Sequence, residues 1–368
     1  MSPVLHARMT PRAEALGRRP RSRKQLLAIA LPAAMLLLAA CGGSGASTQG
    51  SGSASSAAAS PSAAGAASPS PSAAGPPAVV AVTKGGALVI LDSANGSVAK
   101  TLVPSGVVGD GVAASPDGTT VYFAVNHGCT SEVESVPVTG GSPTMIGPGS
   151  LPAVSPDGTK LAMARQPSLV KDCIPGEATL TAHYKLVIRT LSSGSQVIYP
   201  MVAPGQSSGL PAPISHLSWS PDGTRLAVSI SSVEDNEGWN LVILDPATAK
   251  YYLSGPGVFY VPATGHPNAK DSYLREGVFM PNGNLFVSRA CCAGVPVRNT
   301  SRLMWEVNTA GTLVHQVAIG FANLDHTSLD VSANGRWLLY LAGDILYVSH
   351  NGNTPKQLTT GLIAAAWQ

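Results

Sequence analysis

The chain has 368 residues, 44% of them apolar, and a formal charge of +3. That length and apolar share can bury a sizeable core in one domain. Seven basic residues against one acid fall in the first 24 positions, so the remainder carries about −3, and no basic patch interleaved with aromatics supports nucleic-acid binding.

In chain order, Arg8, Arg12, Arg18, Arg19, Arg21, Arg23 and Lys24 form a basic region, and "LLAIALPAAMLLLAA" follows from Leu26 to Ala40. The apolar run is shorter than the ~20 residues of a membrane span and carries Pro32 near its middle. A basic flank, a short apolar run and small residues at its end read as an export signal over 1–40. The paired arginines of "RRPRSRK" lack the surroundings of a twin-arginine signal and belong to the basic flank. "LAAC", Leu38 to Cys41, resembles the bacterial lipobox. The resemblance implies a diacylglycerol on the Cys41 thiol and a lipoprotein anchored on the extracytoplasmic face of the cell membrane. The alternative is an ordinary cleaved signal with a chance cysteine. From Gly42 to Pro77 the chain is almost wholly Gly, Ser, Ala and Pro. Such a stretch has too little apolar surface to offset its conformational entropy, so 41–77 reads as a disordered tether with a reach of roughly 30–35 Å.

Residues 78–368 carry an internal repeat. Ser-Pro-Asp-Gly begins at Ser115, Ser155 and Ser220, and degenerate copies begin at Met280 ("MPNG") and Ser332 ("SANG"). Pro presets φ, Asp or Asn bonds locally, and Gly accepts positive φ, so each copy predicts a tight hairpin. An apolar strand follows each turn: "TTVYFAV", "TKLAMAR", "TRLAVSI", "NLFVSRA" and "RWLLYLA". A third strand ends in its own turn ("EVESVPVTGG", "YKLVIRTLSSG", "NLVILDPATA", "RLMWEVNTAG", "DILYVSHNG"), and a fourth completes each unit. That gives five units of four antiparallel strands. The segment from Ala78 supplies the second to fourth strands of a sixth, and "GLIAAAWQ" at the chain's end, with Trp367 under Trp219, supplies its first. The expectation is an all-β, six-bladed β-propeller of four-stranded antiparallel blades whose C-terminal strand closes the N-terminal blade. The "WSPDG" spelling resembles TolB-like six-bladed propellers, over the whole of 78–368. That resemblance speaks to architecture and is nearly silent on chemistry.

Loop lengths separate the two faces of such a ring. The Ser-Pro-Asp-Gly hairpins and the turns between third and fourth strands are short and share one face. On the other, long connections run from Gln166 to Ala182, Ser231 to Trp239, Pro256 to Ser272 and Ala290 to Thr300. Long loops on a rigid frame are where binding usually resides. Polar residues near the entrances of the first strands ring the central channel: Asp110 in blade two, Ser215 and His216 in blade four, Arg275 and Glu276 in blade five, and Asp325, His326, Thr327 and Ser328 in blade six. These are the candidate ligand contacts, and each taken alone is also compatible with a polar group in a wet channel.

With Cys41 assigned to lipid, four cysteines remain, and in an exported chain disulfides are the default. Cys129 and Cys173 fall in equivalent loops of neighbouring blades and are expected to pair. A zinc site with His127 lacks a fourth ligand. Cys291 and Cys292 are adjacent and form a vicinal disulfide or stay as thiols. "GQSSG" around Ser207 has the spacing of a hydrolase elbow but lies between Pro204 and Pro211 with no following helix. Two functions stay open. One is a monomeric binding or scaffold module that needs no cofactor and recognises a protein, peptide or cell-wall glycan. The other is a lactonase- or lyase-like enzyme with a divalent cation at the channel mouth and a His or Glu as acid–base.

Overall fold

Pro-Asp-Gly and its variants turn hairpins because glycine takes the positive φ that the last turn position demands. Gly118, Gly158, Gly223, Gly283 and Gly335 have φ of 67°, 68°, 67°, 82° and 70° in five separate blades. The computed structural model describes residues 75–127, 130–165, 185–200, 214–231, 239–252, 272–291, 304–309, 313–318 and 326–368. The chain divides into two units, Met1–Ser68 and Pro69–Gln368, and everything described belongs to the second.

Among the described residues every regular element is a strand. Blade one begins with β1 (Val79–Thr83), β2 (Leu88–Leu91) and β3 (Val98–Val103). Blade two holds β4 (Val107–Ala114), β5 (Thr120–His127), β6 (Thr130–Pro137) and β7 (Thr144–Pro148). Blade three holds β8 (Ser150–Val154), β9 (Lys160–Arg165), β10 (Lys185–Thr190) and β11 (Gln196–Pro200). Blade four holds β12 (Ile214–Trp219), β13 (Leu226–Ser231), β14 (Trp239–Asp245) and β15 (Lys250–Tyr252). Blade five holds β16 (Ser272–Phe279), β17 (Leu285–Cys291), β18 (Met304–Val307) and β19 (Leu313–Ala318). Blade six holds β20 (His326–Val331), β21 (Trp337–Ala342), β22 (Ile345–His350) and β23 (Lys356–Thr360). The last strand, β24 (Leu362–Trp367), pairs antiparallel with β1 and is the innermost strand of blade one. The innermost strands β24, β4, β8, β12, β16 and β20 each contact the next, and β20 contacts β24, so the ring closes.

The sheets are buried on both faces, which is why the strands read as nearly unbroken apolar runs. In β1, Val79 and Ala81 pack with Leu339 and Leu341 of blade six, while Val80 and Val82 pack with Phe123 of blade two. The other joints repeat this. Leu186 meets Trp219 between blades three and four, Leu241 meets Phe279 between four and five, Phe286 meets Tyr340 between five and six, and Tyr122 meets Met163 between two and three. Each fully buried Leu or Phe at such a joint contributes roughly 1.5–3 kcal/mol.

The hairpin face is uniformly built. Asp117, Asp157 and Asp222 each accept the serine hydroxyl two residues before and the threonine N–H two residues after. Ser115, Ser155 and Ser220 each accept, at 2.8–2.9 Å, an N–H from the first residue of the next strand or the one before it. These hydrogen bonds hold the carboxyls below the usual range, to about 2 for Asp157 and Asp222. Neighbouring turns touch: a Cβ on Gly158 would lie 3.8 Å from Pro116, and one on Gly223 3.7 Å from Pro156. Blade six keeps the serine (Ser332 donates to Asn334). Blade five has Met280 in its place, and there Asn282 and Asn284 both donate to the buried Glu306.

Candidate functional site

The innermost strands run from the loop-rich face to the hairpins, and all six break register on the way, β24 between Leu362 and Ala364. Pairing with the second strand slips between Val107 and Val112, Ser150 and Ala153, Ile214 and His216, Leu274 and Glu276, and Thr327 and Asp330. The slips coincide when counted back from the turns. They fall at or beside Gly111, Leu151, His216, Glu276 and Ser328, each the fourth residue before its turn, and the same place in β24 is Ala364. A bulge re-aims side chains and is favoured beside binding sites. Here bulges form a continuous ring around the channel.

The backbone at this level is unusual. Leu151 and Ser328 have φ of 51° and 52°, a conformation L side chains rarely adopt, and Gly111 has φ of 98°. A Cβ at Gly111 would lie 2.9 Å from the Leu151 Cα, so blades two and three approach too closely there for any other residue.

The ring has two halves. Blades one to three place Ala364, Gly111 and Leu151 at the bulge level. Blades four to six place His216, Glu276 and Ser328 there, beside Ser215 and Thr327. The Ser215 Oγ and His216 Nδ1 are sealed from solvent and have no hydrogen-bond partner among the described residues. Burial keeps the imidazole neutral, lowering its pKa from 6.5 to about 4. Glu276 is 4% exposed, and its Oε2 accepts the Leu329 N–H across the joint to blade six at 3.4 Å.

Further towards the hairpins, side chains staple blade to blade. Ser218 Oγ accepts the Phe279 N–H at 3.0 Å, joining blades four and five. Asp330, in the equivalent place of blade six, accepts the Trp367 N–H through Oδ2 at 2.8 Å and so fastens the closing strand. Its Oδ1 accepts the Val331 N–H at 2.8 Å. Burial raises the Asp330 carboxyl from 3.8 to about 6, against the pull of these two bonds. Between blades three and four the same role falls to Trp219, whose Nε1 donates to the Ala153 carbonyl at 3.0 Å.

His216 and Glu276 thus occupy matching bulges on adjacent strands. Asp110 and Arg275 lie in β4 and β16 and His326 opens β20, but their side chains are outside the described residues, as is all of Asp325. Cys41, Ser207 and most of the long loops lie outside them too. So do Cys129, Cys173, Cys292 and the side chain of Cys291, and with them both expected disulfides. Ser218 and Asp330 were not singled out in the sequence. Their signal is a polar residue inside an otherwise apolar strand. No group of three or more His, Cys, Asp or Glu placed to hold a metal ion occurs among the described residues.

No known protein family's sequence profile matches the chain, and no curated protein sequence does. Solved structures do resemble it. TolB from Acinetobacter baumannii superposes with a TM-score of 0.53 at 14% identity over 79% of this chain. The chain spans 65% of that TolB's length. An oligogalacturonate lyase in complex with manganese gives 0.50 at 13% identity, over 74% of this chain and 70% of the lyase. At these identities the likeness is one of fold. The chain is a six-bladed β-propeller of the TolB-like architecture.

Proposed function

We propose that the chain is a lipoprotein anchored through Cys41 on the extracytoplasmic face of the membrane, and that its propeller is a binding module. The partner is a protein, peptide or glycan engaged on the loop-rich face. The observation that carries this reading is the divergence of the bulge ring. The hairpin face repeats one hydrogen-bonded turn in blades two, three and four, with an asparagine version in blade six. The bulge ring replaces repetition with six unlike residues, and in its polar half Ser215 and His216 hold sealed atoms with no partner among the described residues. Unlike residues at one level of a repeat, on backbone held at positive φ in two blades, fit a site that serves a ligand rather than the frame.

A metal-assisted propeller enzyme is the second reading, favoured by His216 and Glu276 at matching bulges. Stoichiometric divalent metal in the purified protein, found by elemental analysis, would select it over the binding module. The anchor is tested by metabolic labelling with a clickable fatty acid. The wild-type protein is expected to take up label and sediment with membranes, and Cys41→Ala to do neither. Equal labelling of both would overturn the anchor. The partner is sought by photo-cross-linking from the loop-rich face on intact cells.

A further inference from the structure

We infer that Asn351 is a site of spontaneous covalent modification, converted to aspartate and isoaspartate faster than the asparagine of any other Asn-Gly pair in the chain. The inference goes beyond the binding-module reading and does not rest on it. The chain has four such pairs: Asn95–Gly96, Asn282–Gly283, Asn334–Gly335 and Asn351–Gly352. In the reaction the glycine nitrogen attacks the asparagine Cγ. Its proton leaves with the side-chain nitrogen as ammonia, and a cyclic imide remains. Water then opens the ring at either carbonyl, giving aspartate or isoaspartate. A following glycine favours the attack because it has no side chain to crowd the nitrogen. All four pairs meet that condition, so the fold decides among them.

Three of the pairs are locked. Asn95 donates to Asp92 and accepts the Ser97 N–H, both at 2.8 Å, while the Asp92 carbonyl holds the Gly96 N–H at 2.7 Å. Asn282 donates to Glu306 at 2.8 Å and accepts the Asn284 N–H at 3.0 Å, while the Met280 carbonyl holds the Gly283 N–H at 2.9 Å. Asn334 accepts the Ser332 hydroxyl at 2.8 Å and the Arg336 N–H at 2.9 Å, while the Ser332 carbonyl holds the Gly335 N–H at 2.7 Å. Asn351 differs. It and Gly352 have φ of 51° and 70°, and the Asn353 N–H closes on the His350 carbonyl at 3.0 Å, the type I′ hairpin between β22 and β23. The closing bond of such a turn does not use the N–H of its third residue, here Gly352. Asn351 is exposed, and its side-chain amide makes no hydrogen bond among the described residues. Bringing the Gly352 nitrogen onto Cγ therefore costs the one exposed bond that closes the turn. At the other pairs both side-chain bonds and the glycine N–H must be released first.

The test incubates the full chain, folded in detergent, in mildly alkaline buffer. Peptide mass mapping follows conversion at all four asparagines, and isoaspartyl methyltransferase labels the isoaspartate. Conversion at Asn351 is expected to be at least about tenfold faster than at Asn95, Asn282 or Asn334, the weight of one or two hydrogen bonds. A parallel incubation in urea separates fold from sequence. There the four rates are expected to converge, because the pairs are alike once their turns are lost. Gly352→Ala is expected to slow conversion at Asn351 and leave the other three unchanged. Should that variant fail to fold, the folded and urea maps of the wild type still decide. Equal rates in the folded chain, a faster site at another pair, or a preference for Asn351 undiminished in urea would overturn the inference.

Discussion

The two ends of each innermost strand follow different rules. At the hairpin end, blades two, three and four carry the same serine–aspartate–threonine hydrogen bonds, blade six substitutes Asn334, and blade five recruits Glu306 from a neighbouring strand. Only a few residues back along the same strands, no two blades agree: glycine, leucine, histidine, glutamate and serine share one bulge level. The repeat is kept where it closes turns and packs blade on blade. It is abandoned where side chains can reach the channel. A symmetric frame holding an asymmetric site is how one architecture takes on different ligands.

Several perturbations break or sharpen that contrast. Removing β24 should have the largest effect. It strips Leu362, Ala364, Ala365 and Trp367 from the cores that flank blade one and bares the inner edge of β1. Calorimetry should then show no cooperative unfolding, and a melt near the wild type's would mean that closure is dispensable.

Next is the pH dependence of the two enclosed titratable groups. His216 is lowered from 6.5 to about 4, so its contribution to stability is in place above 6.5 and lost as pH falls through about 4. Asp330 is raised from 3.8 to about 6, so its contribution is in place below 3.8 and lost as pH rises through about 6. Between about 4 and 6 the two oppose each other, and the wild type should show a shallow profile there. His216→Phe should gain stability relative to the wild type as pH falls through this window, by about 2 kcal/mol, and Asp330→Asn should gain as pH rises through it. Urea denaturation at pH 4.5 and 7 reads both. Profiles parallel to the wild type's would show that neither group is buried in the way described.

Ser218→Ala removes the acceptor of the Phe279 N–H in a buried joint, and should lower stability by about 1–2 kcal/mol. Asp222→Ala, on the exposed hairpin face, should cost about 1 kcal/mol, a shift of roughly 2–4 °C in a domain of this size.

The architecture was legible because its signals are local. Pro-Asp-Gly fixes a hairpin from four residues, and "GLIAAAWQ" matches the other first strands down to Trp367. Even the degenerate turn at Met280 could be placed, although its compensation by Glu306 depends on a strand more than twenty residues away and is not written in the turn. The site was legible in part. His216 and Glu276 stood out as polar residues at matching offsets. The bulges themselves did not, because Leu151 adopts positive φ without the glycine or asparagine that would announce it. Asp330 was hidden for a different reason. Its partner is the backbone of Trp367, brought to it only when the ring closes.

The most direct test compares equivalent ends of the strands in one experiment. Asp222→Ala and Glu276→Gln are each measured for melting temperature and for photo-cross-linking of a partner from the loop-rich face. The account predicts that Asp222→Ala melts a few degrees lower and binds as the wild type does, while Glu276→Gln melts close to the wild type and loses about tenfold in binding. If Asp222→Ala loses binding as well, or Glu276→Gln loses stability and keeps binding, the division between a structural hairpin face and a ligand-binding bulge ring is wrong.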